Sequence, residues 1–192
     1  MAEDLRKLVQ RCLDGQQDAM QLLVERYQSQ VFGLCYRMLS NREDAEDATQ
    51  ETFIRVLKSL EQWDATRDFD PWLLAIAGNR CRTMLAKRSR RPPSTPLVEH
   101  LPDTTPNMQA ARNLAEEVAL ALEDVRDEYR QAFLLFHEQE LSYAEIAEAL
   151  GCPVGTVKTW VHRARRELIS RLQRRGVVNE VRHGSRDISA AS

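Results

Sequence analysis

Along the first third of the chain, apolar residues recur at three- and four-residue steps. Leu22, Leu23, Tyr27, Val31, Leu34, Cys35, Met38 and Leu39 form one stripe and predict a long amphipathic helix that stops near Leu39. Ser40 or Asn41 can cap the next helix. Glu43 and Asp44 then stand at its positive end, and Ala45, Ala48, Thr52, Phe53, Val56, Leu57 and Leu60 mark its inner face. A looser stretch from Trp63 to Asp70 follows, after which Trp72, Leu73, Ile76 and Ala77 open a third helix that runs through Asn79 and Met84 into a basic end. Farther on, Leu114, Val118, Leu122 and Val125 carry a helix, Phe133 to His137 a short one, and Ser142 onward a last pair.

Between these helical blocks the periodicity lapses. Five of the seven prolines, Pro92, Pro93, Pro96, Pro102 and Pro106, lie between Arg91 and Asn107, which predicts an extended, exposed tether. The expected layout is an N-terminal helical domain over 1–90, a flexible proline-rich linker over 91–112, a C-terminal domain over 113–176 and a disordered tail over 177–192. Composition agrees with an all-α fold of two small helical domains, because Leu, Ala, Glu, Arg and Gln outnumber the β-branched and aromatic residues. With 192 residues, 43% of them hydrophobic, the chain can bury a core. Charges interrupt every apolar segment, so neither a signal peptide nor a membrane span is expected, and the predicted location is the cytoplasm. Cys12, Cys35, Cys81 and Cys152 are spaced too widely for a zinc knuckle or redox motif and fit reduced thiols.

The C-terminal block carries the sharpest local signal. Ser142-Tyr-Ala-Glu145 matches a capping box, Gly151 suits a tight left-handed turn, and Pro153 suits the first turn of the following helix. Stepping roughly 100° per residue from Val157 puts Val161, Ala164 and Leu168 on one narrow inner stripe, with Thr159, His162, Arg163 and Arg166 opposite. From Lys158 to Arg175 there are seven bases against one acid, Glu167. This is the pattern of a helix-turn-helix whose second helix enters the major groove of duplex DNA. Arg171 and Arg174 lie turns farther along, where only phosphate is in reach. A helical hairpin with a solvated arginine face is the plainer alternative.

Charge divides the N-terminal block as well. Glu43, Asp44, Glu46, Asp47 and Glu51 fall within nine positions, whereas Arg80, Arg82, Lys87, Arg88, Arg90 and Arg91 follow one another with no acid between. An acidic helix face repels DNA phosphates and suits a basic protein, while the basic end suits nucleic acid. Glu43, Glu46 and Glu51 diverge around their helix, so no convergent metal site is expected. Neither G-x-S-x-G nor a phosphate-binding loop occurs, and no cofactor or catalytic activity is expected. Trp63, Phe69, or the backbone between them, are candidates for stacking on unpaired bases, whereas Trp72 reads as core.

Three motifs in order, Asn41-Arg-Glu-Asp-Ala-Glu-Asp-Ala-Thr-Gln-Glu-Thr-Phe53, Pro71-Trp-Leu-Leu-Ala-Ile-Ala-Gly-Asn79, and Leu141-Ser-Tyr-Ala-Glu-Ile-Ala continuing to Arg165, make the chain resemble a known family. It resembles the extracytoplasmic function sigma factors of bacterial RNA polymerase over roughly Asp18 to Arg175. The resemblance implies that Asp47, Gln50, Glu51 and Arg55 bind core polymerase at the clamp of its largest subunit, the flap regions being a further contact. It implies that Trp63 to Asp70 captures a flipped base of the minus-ten promoter element, with Asn79, Arg80, Thr83 and Lys87 on the opened strand. Thr156, Lys158, Thr159, His162, Arg163 and Arg166 would read the minus-thirty-five element. An anti-sigma factor is a further implied partner. Thr83 stands where the family usually has aspartate, and Trp160 where a smaller or basic residue is common. A helix-turn-helix regulator that binds duplex DNA without polymerase is the rival reading. A metal-dependent hydrolase of the acidic cluster ranks last.

Overall fold

The structure is a computed structural model that describes residues 2–88 and 106–178. Within them the regular structure is helical throughout, with no strand. The N-terminal block holds α1 (Ala2–Leu13), α2 (Gln17–Leu39), α3 (Arg42–Ser59), a short 3₁₀ turn at Leu60–Gln62, and α4 (Phe69–Arg88). The C-terminal block holds α5 (Pro106–Glu123), α6 (Asp127–His137), α7 (Tyr143–Ala149) and α8 (Val154–Arg174).

Local sequence chemistry sets these boundaries. Ser40 closes α2 in the left-handed conformation at φ 51°, and Asn41 then caps α3 by accepting the Asp44 N–H at 2.9 Å. Leu23, Val31, Leu34, Cys35 and Met38 of α2 are fully buried, and α3 and α4 pack against them. Leu22 faces outward at 47% exposure, because it sits one position off that stripe.

The C-terminal block departs from the sequence expectation in two places. α5 begins at Pro106, so 106–112 is helix rather than linker; proline is favoured at a first helical position, where its missing N–H has no intrahelical acceptor. α6 begins at Asp127 rather than Phe133, because its first two turns bury Tyr129, Arg130 and Gln131, whose polar ends hide the apolar period. Pro92, Pro93, Pro96 and Pro102 of the expected linker, and 179–192 of the expected tail, lie outside the described residues. Val177 and Val178, placed in that tail, are half-buried against the core.

The two blocks also pack against each other. α4 lies on α6 and α7, α2 touches α5 and α6, and the buried residues of both blocks form one continuous cluster.

Candidate polymerase and nucleic-acid interfaces

α3 and α4 run antiparallel, so their charges meet across the seam. Asp44 stands 3.7 Å from Arg88, and Glu51 Oε1 accepts from Arg80 Nη2 at 2.5 Å. Part of the expected separation of acid and base is therefore neutralised inside the domain. Asp47, Gln50 and Arg55 remain exposed on the outside of α3, and Ile54 joins them at 53% exposure. Helical steps of three and four put Asp47, Gln50 and Ile54 on one line. A mixed polar rim, one acid, one amide and one base, around an apolar centre suits a protein surface with some apolar area. Sequence periodicity does not single out Ile54, because its neighbours a turn away on the same face, Gln50 and Lys58, are polar. Glu51 is half-buried and committed to Arg80.

On α4, Asn79, Thr83 and Lys87 are exposed and follow one another at four-residue steps. Arg82 donates to Asn79 Oδ1 at 2.8 Å, and the Thr83 hydroxyl donates to the Asn79 carbonyl at 2.9 Å, which orients the polar face. Arg80 does not belong to that face. At 8% exposure it points into the seam toward Glu51, about a quarter turn away from Asn79.

The aromatic candidates also move inward. Phe69 is 2% exposed, with its ring centroid 5.2 Å from both Tyr27 and Trp63 and 5.5 Å from Trp72. Trp63 is buried too, and its Nε1 has no partner among the described residues. Both rings are core, because they pack with Tyr27 of α2 and Trp72 of α4 in one aromatic cluster, so neither is open to a stacking base here. Tyr27 in the same cluster has its phenol pushed up to about 12 by burial and by the Asp70 carboxylate. What remains exposed is the loop itself. Asp64 accepts from the Thr66 N–H at 2.9 Å and hydroxyl at 2.7 Å, and these bonds hold its carboxyl below the usual range.

The helix-turn-helix is built as its local sequence requires. Ser142 and Glu145 complete the capping box at 3.2 and 2.7 Å, and Gly151 turns the chain at φ 64°. Val157, Val161, Ala164, Leu168 and Leu172 are buried, which leaves Lys158, Thr159, His162, Arg163 and Arg166 exposed on α8 and Thr156 half-buried. The Thr159 hydroxyl donates to the Gly155 carbonyl at 2.8 Å, so its oxygen is left as an acceptor. Arg163 donates to the Tyr129 hydroxyl at 2.8 Å, and Lys158 lies 5.9 Å from the centre of the Tyr143 ring. Two shallow grooves flank this face, one lined by Tyr143, Lys158, Thr159 and His162, the other by Glu167, Ser170, Arg171 and Arg174, with Arg163 and Arg166 shared between them. Arg171, expected to reach only phosphate, already has a partner within the fold. It is half-buried and donates to the Asp124 carbonyl at 2.6 Å, tying α8 to the turn after α5.

Comparison with known proteins gives these surfaces their context. Residues 23–91 match the family model for Sigma-70 region 2, and residues 115–168 that for Sigma-70, region 4. The chain is 35% identical over 187 residues to the ECF RNA polymerase sigma-E factor of Haemophilus influenzae, covering 90% of this chain and 98% of the relative. It is 34% identical over 181 residues to the ECF RNA polymerase sigma factor SigW of Bacillus subtilis, covering 88% and 97%. Among solved structures, CnrH in complex with the cytosolic domain of CnrY is similar at a TM-score of 0.66 and 27% identity, covering 88% of this chain and 97% of that one. The sigma factor RpoE of Bartonella quintana shares the fold at a TM-score of 0.64 and 21% identity, covering 80% and 96%. Region 2 spans α3 and α4, region 4 spans the helix-turn-helix, and the relatives align with this chain over nearly their whole length; the chain belongs to the extracytoplasmic function sigma factors, the subunits that direct bacterial RNA polymerase to its promoters.

Proposed function

We propose that the N-terminal block binds core polymerase through the outer stripe of α3 and holds the melted minus-ten strand with the other side of the domain, while α8 reads the minus-thirty-five element as duplex. The observation that carries this reading is the division of exposed chemistry. Asp47, Gln50, Ile54 and Arg55 offer a mixed polar surface with an apolar centre to the clamp of the largest subunit, with Glu43 and Glu46 exposed on the same helix, whereas Asn79, Thr83 and Lys87 with the 64–68 loop offer donors to a strand. On α8, Thr159 and His162 are placed for base edges, and Lys158, Arg163 and Arg166 for phosphates or guanine, with Thr156 at the start of the helix. The C-terminal block meets the polymerase flap as it docks. No step of this function needs chemistry from the chain itself; it positions polymerase and traps opened DNA. Its place of work is the cytoplasm, where polymerase and promoters are.

A protein partner that restrains the chain belongs to the same reading. CnrH, which shares 27% of its sequence with this chain, is solved with the cytosolic domain of CnrY bound. An anti-sigma factor on this chain would have to cover at least one of the three surfaces above.

Core polymerase mixed with the full chain and genomic fragments tests the proposal. Transcripts that begin at discrete sites only when the chain is present are expected. Duplex binding without transcription would leave the regulator reading in its place.

A further inference from the structure

Tyr129 of α6 reaches the exposed face of α8 from outside it. The residue is 6% exposed and belongs to the buried cluster, yet its hydroxyl accepts from Arg163 Nη1 at 2.8 Å. The Arg163 guanidinium also lies 5.8 Å from the centre of the Tyr129 ring, and that of Arg126 lies 5.4 Å from it. Stepping roughly 100° per residue, Arg163 stands about 40° from Thr159 and about 100° from His162 around α8. It is therefore the edge of the exposed face that meets α6. We propose that Tyr129 is a positioning residue for promoter reading: its hydroxyl sets the direction in which Arg163 leaves α8, and through it the base that Arg163 selects. The inference rests on the reading of α8 as the helix that reads duplex DNA.

The chemistry of the partner decides what the contact can do. A long side chain on an exposed helix face samples many rotamers and loses that freedom on binding, so a contact that fixes it beforehand removes part of the loss. A phenol oxygen is neutral, so it orients the guanidinium without cancelling its charge, as a carboxylate would. Other arginines of α8 and its end are held by acids. Arg171 stands 3.5 Å from Glu167, and Arg175 2.5 Å from Glu117. The hydrogen bond from Arg163 draws the Tyr129 phenol below its ordinary value, against the effect of burial. With its plane held, the guanidinium presents a fork in one direction, and guanine is the base whose O6 and N7 acceptors match that fork in the major groove.

The test uses the full chain with duplexes carrying a selected site, its single-base variants or a scrambled sequence, and binding is followed by anisotropy. Tyr129→Phe keeps the ring and removes the acceptor. It is expected to bind the selected duplex about two- to ten-fold more weakly, the range of one hydrogen bond, with binding to the scrambled duplex and helical circular dichroism unchanged. Arg163→Gln should lose discrimination at one base pair, Tyr129→Phe at the same one, and the double variant should lose no more than Arg163→Gln alone. A merely structural hydroxyl would not give that coincidence. Losses from Tyr129→Phe that fall equally on selected and scrambled duplexes, or that add in full to those of Arg163→Gln, overturn the inference. So does wild-type discrimination by Tyr129→Phe, or an equal loss on both duplexes from Arg163→Gln; the reading of α8 then rests on Thr159 and His162. If Thr159→Ala, His162→Ala and Arg163→Gln all leave discrimination intact, that reading fails and the inference with it.

Discussion

Gly78 and Gln131 meet where α4 faces α6, so closely that a Cβ on Gly78 would stand 2.1 Å from the Gln131 Nε2 and 2.6 Å from its Cδ. Gln131 is fully buried, so its side chain must shift within the packed seam to admit a Cβ. Gly78→Ala is therefore expected to push the two blocks apart, while α4 itself gains about 1 kcal/mol of helix propensity. Small-angle scattering should show a larger radius of gyration with undiminished helical circular dichroism. An unchanged radius would mean that Gln131 repacks and that the blocks do not depend on this contact.

Asp47 and Glu51 separate binding from folding. Both belong to the acidic cluster, and sequence spacing puts both on the outer face of their helix. In the fold Asp47 is exposed with no such tie, whereas the half-buried Glu51 partners the buried Arg80. Asp47→Lys should abolish co-purification with core polymerase and leave stability within about 0.5 kcal/mol, as for other exposed sites. Glu51→Lys should cost about 1–3 kcal/mol in urea unfolding, the loss of a hydrogen bond to a charged group. Equal stability of the two variants would show that Arg80 finds another partner.

Much of this was legible in the sequence because helical period and capping chemistry are local. The Asn41 cap, the Ser142 to Glu145 box, the Gly151 turn and the inner stripe from Val157 to Leu168 all stand where spacing puts them. The side of a helix that a second helix covers is not local. That is why Arg80 reads as one of a basic run and is buried against Glu51, and why Phe69 and Trp63 read as open to bases and are core. The packing of α4 on α6 and α7, where Gly78 meets Gln131, could not be read from periodicity, which marks the side of a helix that is covered and not the helix that covers it.

Tyr27 gives the N-terminal block a dependence on alkaline pH. Its phenol ionises near pH 12 in the fold and near about 10 when unfolded. The unfolded chain therefore loses this proton first, and the stability that the neutral phenol contributes is complete below about pH 10 and lost as pH rises toward 12. The shift bounds the loss at about 3 kcal/mol. Denaturation midpoints of wild type should fall faster over this window than those of Tyr27→Phe. Parallel curves would mean that the phenol is open to hydroxide in the native state.

On α8 the structure sorts the cations by what already holds them. Arg171 is tied to the Asp124 carbonyl and Arg163 to the Tyr129 hydroxyl, whereas Arg166 and His162 project from the exposed face beside Thr159. Thr159→Ala and His162→Ala should each cost about 1–3 kcal/mol on a selected duplex and little on a scrambled one, because a lost base contact is sequence-specific. Arg166→Gln should weaken both duplexes and lower the slope of log affinity against log salt by about one, as for a lost phosphate contact. Arg171→Gln should leave that slope unchanged and lower the melting temperature, since its work is to tie α8 to the turn after α5. Affinities measured on both duplexes across a salt series separate these outcomes. Equal losses on both duplexes from Thr159→Ala and His162→Ala would show that α8 holds DNA without reading it.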